Sequence, residues 1–124
     1  MTTILNLTQH PATEDQIKQG VVDLPPQARK QLIELLTFDT LPTSQEIVSR
    51  ARQIAETPEV SEHNGPCMIG GAPYFMPALE GQLKTRARKQ VVYAFSTRES
   101  AEQVQPDGTV RKVAIFRHTG FVGL

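Results

Sequence analysis

Two adjacent glycines, Gly70 and Gly71, lie between a short apolar run and a helix-like pattern in the segment PCMIGGAPYFMPAL. Glycines at such a place let backbone N–H groups approach an anion at a helix N-terminus. The pair also suits a tight connection that binds nothing, because neither G-x-G-x-x-G nor the P-loop pattern is present. We favour an anion site here, and the purely geometric interpretation stays open beside it.

Polar side chains that could bind the same anion follow two other apolar runs. They are Asn6, Thr8 and His10 in LNLTQHPAT, and Ser96, Thr97 and Arg98 in AFSTRES. A guanidinium beside hydroxyl groups suits a phosphate or a carboxylate. Each group also has a structural interpretation: Asn6 would cap a loop, His10 would be an ordinary loop histidine, and Arg98 would pair with Glu99.

The apolar runs predict the strands that must position these residues. We expect Thr3–Thr8, Met68–Gly70 and Val91–Phe95 to be neighbouring parallel strands, because helix-like segments separate them. VVDLP is a further short strand, and Pro-Asp-Gly between two extended stretches predicts a C-terminal hairpin. We expect QVVYAFS, which is apolar almost throughout, to be a strand covered on both faces and to end near Ser96.

Helix boundaries are marked by local signals. Thr13 with Gln16 and Thr43 with Glu46 have capping-box spacing, and Pro26 and Pro77 suit the first turn of a helix. Gly20 is expected to end the first helix, and Pro58 the one that Thr43 begins. Residues 1–124 are therefore expected to form a single α/β domain, a small three-layer Rossmann-like fold with a mainly parallel sheet and a C-terminal β-hairpin.

Parallel strands place their carboxyl ends at one edge of the sheet. The three polar groups should therefore converge there, in the crevice where ligands of open α/β sheets bind. This convergence predicts a ligand site that contains Asn6, Thr8, His10, Gly70, Gly71, Ser96, Thr97 and Arg98.

Composition excludes several other functions. Thirteen basic and thirteen acidic residues cancel, which argues against binding to duplex nucleic acid. One cysteine, Cys67, excludes an intramolecular disulfide, and we expect it to be a buried, unreactive thiol. Three scattered histidines disfavour a metal site, and no cofactor is expected. No apolar run is long enough to span a membrane, so we expect a cytoplasmic protein.

The C-terminal segment VAIFRHTGF predicts self-association. Phe116 and Phe121 form part of a short apolar strand beyond the hairpin turn, and such a strand needs cover. A homodimer is therefore expected, whereas the roles of Arg117 and His118 stay open.

Catalysis is permitted by these residues but not demanded by them. Ser96 and His10 have no nucleophile elbow and no evident orienting acid. Metal-free cleavage of a phosphodiester needs little more than a pocket with Arg, His, Ser or Thr donors around the charged transition state. The sequence leaves open whether the protein is an enzyme.

The segments LNLTQHPAT, MIGGAPYFMPAL and VYAFSTRES resemble a family of small uncharacterised bacterial and phage proteins. They are also similar to the small single-domain CRISPR-associated proteins with a CARF-like, Rossmann-type fold. The resemblance implies a homodimer that binds a cyclic oligonucleotide or related nucleotide across its subunit interface, with Thr8, His10, Gly70, Gly71, Ser96 and Arg98 as binding positions.

Two hypotheses follow. The first is a module that binds a nucleotide or phosphate ligand, as a cyclic-oligonucleotide sensor or a slow ring-nuclease-like phosphodiesterase in bacterial or phage defence. The second is a non-enzymatic homodimeric interaction protein without a small-molecule ligand.

Overall fold

The structure is a computed structural model that describes residues 2–123. It contains five strands and five helices within these residues. The strands are β1 (Ile4–Asn6), β2 (Val21–Asp23), β3 (Cys67–Met68), β4 (Val91–Val104) and β5 (Val110–Gly123). The helices are α1 (Glu14–Lys18), α2 (Pro26–Leu36), α3 (Ser44–Glu56), α4 (Pro58–Ser61) and α5 (Met76–Thr85).

The strands form one mixed sheet in the order β2-β1-β3-β4-β5. β1 pairs in parallel with β2 and β3, and β3 pairs in parallel with β4. The predicted parallel neighbours are therefore confirmed. The chain moves outward from β1 to β2 and then crosses back over β1 to β3, so the strand order reverses between β1 and β3.

The helices begin where the local signals predict. The Thr13 side chain accepts a hydrogen bond from the Gln16 amide, and the Gln16 side chain accepts one from the Thr13 amide, which completes a capping box. Thr43 caps α3 through the Glu46 amide, and Pro26 and Pro77 lie in the first turns of α2 and α5. These ends need no tertiary contact, which explains why the sequence marks them.

The main core lies between the sheet and the longer helices. Leu5 and Leu7 on β1 and the turn after it pack with apolar side chains of α2, α3 and α5. A smaller cluster contains Val21, Met68 and Val92, with Phe121 packed against it. The five-residue α1 buries none of its side chains, and the three-layer arrangement stays a prediction.

The C-terminal hairpin is confirmed, and it is much longer than expected. Pro106-Asp107-Gly108 forms its turn, with Gly108 at φ +87°. β4 continues for 14 residues because β5 supplies hydrogen-bond partners along its whole length. The expectation that this strand ends near Ser96 and is covered on both faces is wrong: only Val91 and Val92 are buried, and 52% of Phe95 is exposed.

Candidate functional site

An open crevice of about 380 Å³ lies at the carboxyl ends of β1 and β3. It occupies the point where the strand order reverses, which is the usual ligand position in open α/β sheets. It is lined by the loop after β1, the turn after β3 and the beginning of β4. The lining residues are Thr8, Gln9, His10, Pro11, Thr13, Gln16, Met68, Ile69, Gly70, Gly71, Tyr93 and Ala94. Two of the three predicted polar groups therefore converge.

Asn6 holds the loop on one side of the crevice in place. Its amide nitrogen donates to the backbone oxygen of His10 and to Asp23 Oδ1, both at 2.8 Å. Its amide oxygen accepts from the Thr8 amide at 2.9 Å and from the Thr8 hydroxyl at 2.7 Å. All four hydrogen-bonding positions of this buried side chain are thus occupied within the chain. Asn6 positions the loop and has no capacity left for a ligand.

The glycine turn forms the opposite wall of the crevice. Within the hydrogen-bond network of residues 2–123, the amides of Gly70, Gly71 and Ala72 have no partner. Gly71 has φ +153°, which side chains rarely adopt, and a Cβ there would lie 3.4 Å from the Met76 side chain. A Cβ at Gly70 would make an ordinary contact of 3.6 Å with Thr8. Successive free amides can bind an anion where they point into a common concavity.

His10 is the only titratable imidazole in the lining of the crevice, and its ring makes no hydrogen bond within the described residues. Its backbone oxygen is held by Asn6, and the hydroxyl of Thr8 lies 3.1 Å from that oxygen. No aspartate, glutamate, lysine or arginine side chain is among the lining residues. An anion would therefore meet amides, hydroxyl groups and an imidazole, without a carboxylate to repel it.

Tyr93, which the sequence did not single out, closes the β4 side of the crevice. Its hydroxyl donates to Glu80 Oε2 on α5 at 2.9 Å. Burial, together with the hydrogen bond and charge of Glu80, raises the pKa of Tyr93 to about 12. Little in the sequence indicates this contact. Tyr93 follows two valines in a strand, and its partner Glu80 lies thirteen residues earlier in α5.

The third predicted group lies outside the crevice. Ser96, Thr97 and Arg98 are interior residues of β4, opposite His118, Arg117 and Phe116 of β5. Arg98 is exposed. It lies four residues after the lining residue Ala94, at a distance of about 13 Å along the strand. The expected placement at a strand end is wrong, because backbone pairing with β5 overrides the polar side chains.

Arg117 and His118 stabilise the base of the hairpin. Arg117 Nε lies 3.7 Å from Glu99 Oε2 on the neighbouring strand, in an exposed pair. His118 Nε2 lies 2.9 Å from Gln19 Oε1 after α1, and its ring packs edge-on against Phe121. Only the contact with Gln19 joins the hairpin to the α1 region, and neither Arg117 nor His118 lines the crevice.

Two other hollows have different chemistry. One of about 380 Å³ at the amino edge of the sheet is lined by His63, Arg88 and Lys89 among others, and Lys89 donates to the backbone oxygen of His63. Another of about 360 Å³ between α2 and α3 includes Glu56 and Glu59, which disfavour an anion.

The remaining candidate chemistry is limited. Cys67 is buried and free, and burial raises its pKa to about 11, in agreement with the predicted unreactive thiol. The described part of the chain contains no group of three His, Cys, Asp or Glu side chains arranged for a metal ion. No helix among residues 2–123 is long and apolar enough to cross a membrane.

The strand order and the crevice define an α/β protein with a mostly parallel sheet and an open cleft at its switch point. The chain belongs to the Uncharacterized protein MJ1673 family, whose sequence profile matches residues 2–122. No curated protein and no solved structure matches the chain. The family match agrees with the predicted small uncharacterised family, whereas the CARF-like relationship stays a hypothesis.

Proposed function

We propose that the protein binds a nucleotide or a related phosphate ester in the crevice between β1 and β3. The observation that carries the proposal is the row of unpartnered amides at Gly70, Gly71 and Ala72, located at the switch point of the sheet. Such amides bind phosphate oxygens without a lysine or an arginine. The imidazole of His10 adds a donor on the opposite wall.

The shape and lining of the crevice favour a nucleotide over a bare phosphate. Its volume lies in the range of small-molecule sites, well above the need of one phosphate group. Pro11, Tyr93 and Ala94 supply apolar surface for a base or sugar, and the side-chain nitrogen of Gln16, which the capping box does not use, supplies a donor for its edge. A ligand with both a phosphate and an apolar ring would contact the free amides with the first and the apolar residues with the second.

More specifically, the protein would be a cytoplasmic homodimer that senses a cyclic oligonucleotide or cleaves it slowly. Its support is the resemblance of the three sequence segments, each of which contributes residues to the lining of the crevice. Catalysis needs a test of its own. Replacing His10 with alanine is expected to abolish any cleavage of a cyclic oligonucleotide, as followed by chromatography, while the protein stays folded.

The binding test is a thermal-shift and calorimetric comparison of inorganic phosphate, nucleoside monophosphates, cyclic dinucleotides and cyclic oligonucleotides. A ligand at about one hundred times its Kd stabilises the native state by roughly 2.7 kcal/mol, which moves the Tm by several degrees. Gly71→Val is expected to abolish binding, because a branched side chain at φ +153° rearranges the free amides. His10→Ala, at an exposed position, is expected to weaken binding without loss of stability.

Two matched variants separate this site from the alternatives. Gly70→Ala adds a methyl group in ordinary contact with Thr8 and should keep the fold. Arg88→Ala removes a cation from the hollow at the opposite edge and should leave affinity unchanged. The proposal is wrong if none of these ligands binds, or if Arg88→Ala weakens binding while His10→Ala does not.

The second hypothesis, a homodimeric interaction protein without a small ligand, is favoured by one observation. The distal part of the β4–β5 hairpin extends beyond the sheet with exposed apolar side chains on it, among them Val104, Ile115 and Phe116. Self-association without any ligand-induced shift would support this hypothesis over the first.

A further inference from the structure

The distal hairpin, Ser96–Val104 with 110–119, is called the ribbon below. It pairs only with itself within the described chain, and a two-stranded ribbon alone is marginally stable in water. Phe116 is 72% exposed, and Val104 and Val110 at the other end of the ribbon are exposed as well. The ribbon therefore has little support from the rest of the described chain.

The total surface supports such a covering partner. The chain exposes 8095 Å², whereas a compact monomer of its mass, 13.7 kDa, exposes about 6,600 Å². The excess of roughly 1,500 Å² is larger than the roughly 800 Å² that each partner buries in an interface of standard size. The chain therefore has enough uncovered surface for a stable dimer.

The two edges of the ribbon differ in charge. The outer edge belongs to β5, whose ribbon residues include Arg111, Lys112 and Arg117 and no acidic residue. Two such edges would repel each other, and basic residues are a common protection of edge strands. The inner edge belongs to β4, which is paired with β3 only at Val91 and Val92. From Ser96 to Val104 this inner edge has no neighbour in the described chain.

The inner edge is complementary to itself in one antiparallel register. If Ser100 lies opposite Ser100 of a second copy, Arg98 lies opposite Glu102 of that copy, and the pair occurs twice by symmetry. Both side chains project from the same face of β4, because they are four residues apart on a strand. A shift by one residue that centres on Glu99 would place two carboxylates directly opposite each other, which is unfavourable.

We propose that the inner edge Ser96–Val104 pairs with the same edge of a second copy, centred on Ser100. The two ribbons then form one antiparallel four-stranded sheet, in which each β4 lies between its own β5 and the other β4. The pairing satisfies the open backbone groups of both inner edges.

The same register places the tip of each ribbon at the other copy's crevice. With Ser100 opposite itself, Pro106 of one copy is level with Ala94 of the other, and Ala94 lines the crevice. This consequence rests on the proposed ligand function, since it would place the turn of one copy's ribbon beside a ligand bound in the other copy's crevice. The pairing of the ribbons does not depend on it.

The pairing is tested by exchanging the charges of Arg98 and Glu102 and measuring the oligomeric state by sedimentation without any ligand. The wild-type protein is expected to be a dimer at tens of micromolar. Arg98→Glu creates two Glu–Glu contacts across the symmetry axis and should weaken the dimer by about tenfold or more. The double variant with Arg98→Glu and Glu102→Arg should restore it. Arg111→Glu on the outer edge is the matched control and should leave the dimer intact.

A disulfide tests the register itself. Directly opposed residues of antiparallel strands have Cα atoms about 4.5–5.5 Å apart, which is within the range of a disulfide. Ser100→Cys should therefore form a covalent dimer under mild oxidation, whereas Arg111→Cys should stay monomeric on a non-reducing gel. The native Cys67 is buried and does not compete.

The proposal is overturned by a monomeric wild type at these concentrations, by a charge exchange that does not restore the dimer, or by equal cross-linking of the two cysteine variants. Because these readouts need no ligand, they stand apart from the test of the proposed function. A dimer without ligand binding would contradict the function and support the ribbon pairing.

Discussion

Replacing Asn6 with alanine tests the role of this buried side chain as the fixed point of the crevice loop. The substitution removes four hydrogen bonds that connect β1 to Thr8, His10 and Asp23. It leaves the apolar core around Leu5 and Leu7 unchanged. The measured loss of stability therefore reports mainly on the polar network, with a smaller part from the space that the side chain leaves.

The expected loss of unfolding free energy follows from the hydrogen bonds that each partner of Asn6 retains. The Thr8 amide loses its only partner, at a cost of about 1 kcal/mol. The Thr8 hydroxyl keeps the His10 oxygen at 3.1 Å, so that part of the network costs little. Asp23 keeps the Ala12 amide and is exposed, so its lost bond contributes about 1.5 kcal/mol, the low end for a charged acceptor. The expected total is about 2–3 kcal/mol, which is roughly 10 °C in the Tm of a domain of this size.

Urea denaturation followed by far-UV circular dichroism measures this loss. Asn64→Ala is the matched control, because Asn64 is a loop asparagine whose side chain forms no hydrogen bond among the described residues, and it should change stability by less than about 0.5 kcal/mol. The stability loss of Thr8→Val should lie between those of Asn6→Ala and Asn64→Ala, since this substitution removes only the hydrogen bonds of the hydroxyl group. A loss below about 1 kcal/mol for Asn6→Ala would show that water replaces the network and that the loop does not depend on it.

Two further predictions concern contacts between distant elements. Tyr93 should titrate near pH 12 by ultraviolet absorbance, and Glu80→Gln should lower its pKa, although burial will keep it above the ordinary value. Because the folded pKa lies above that of the unfolded chain, stability should fall as the pH rises from about 10 to 12, and an unchanged Tyr93 titration in Glu80→Gln would contradict the contact. Arg50 donates to the backbone oxygen of Thr37 at 2.6 Å and lies over the Phe38 ring at 4.3 Å from its centroid. Arg50→Ala should cost about 2 kcal/mol in urea denaturation, whereas Arg52→Ala, at an exposed position of the same helix, should cost almost nothing.

The predicted polar site shows how far an argument from the sequence extends. The loop after β1 and the glycine turn after β3 meet as expected, because parallel strands necessarily share an edge. The role of Asn6 was left open between capping and binding, and the hydrogen bond to Asp23, seventeen residues away, decides it in favour of positioning. Tyr93 was missed for the same reason, since its partner Glu80 comes from another element.

The sequence by itself determined those features whose causes lie within a few residues. Thr13 and Thr43 mark helix starts because a capping side chain bonds to an amide three positions later. Pro-Asp-Gly marks the hairpin turn because Gly108 adopts a positive φ at no cost from a side chain. Only the tertiary structure decided the extent of β4: Ser96, Thr97 and Arg98 look like the end of a strand, yet they continue it. Their backbone groups pair with β5 about twenty residues later, and such non-local pairing leaves no signal in the local sequence.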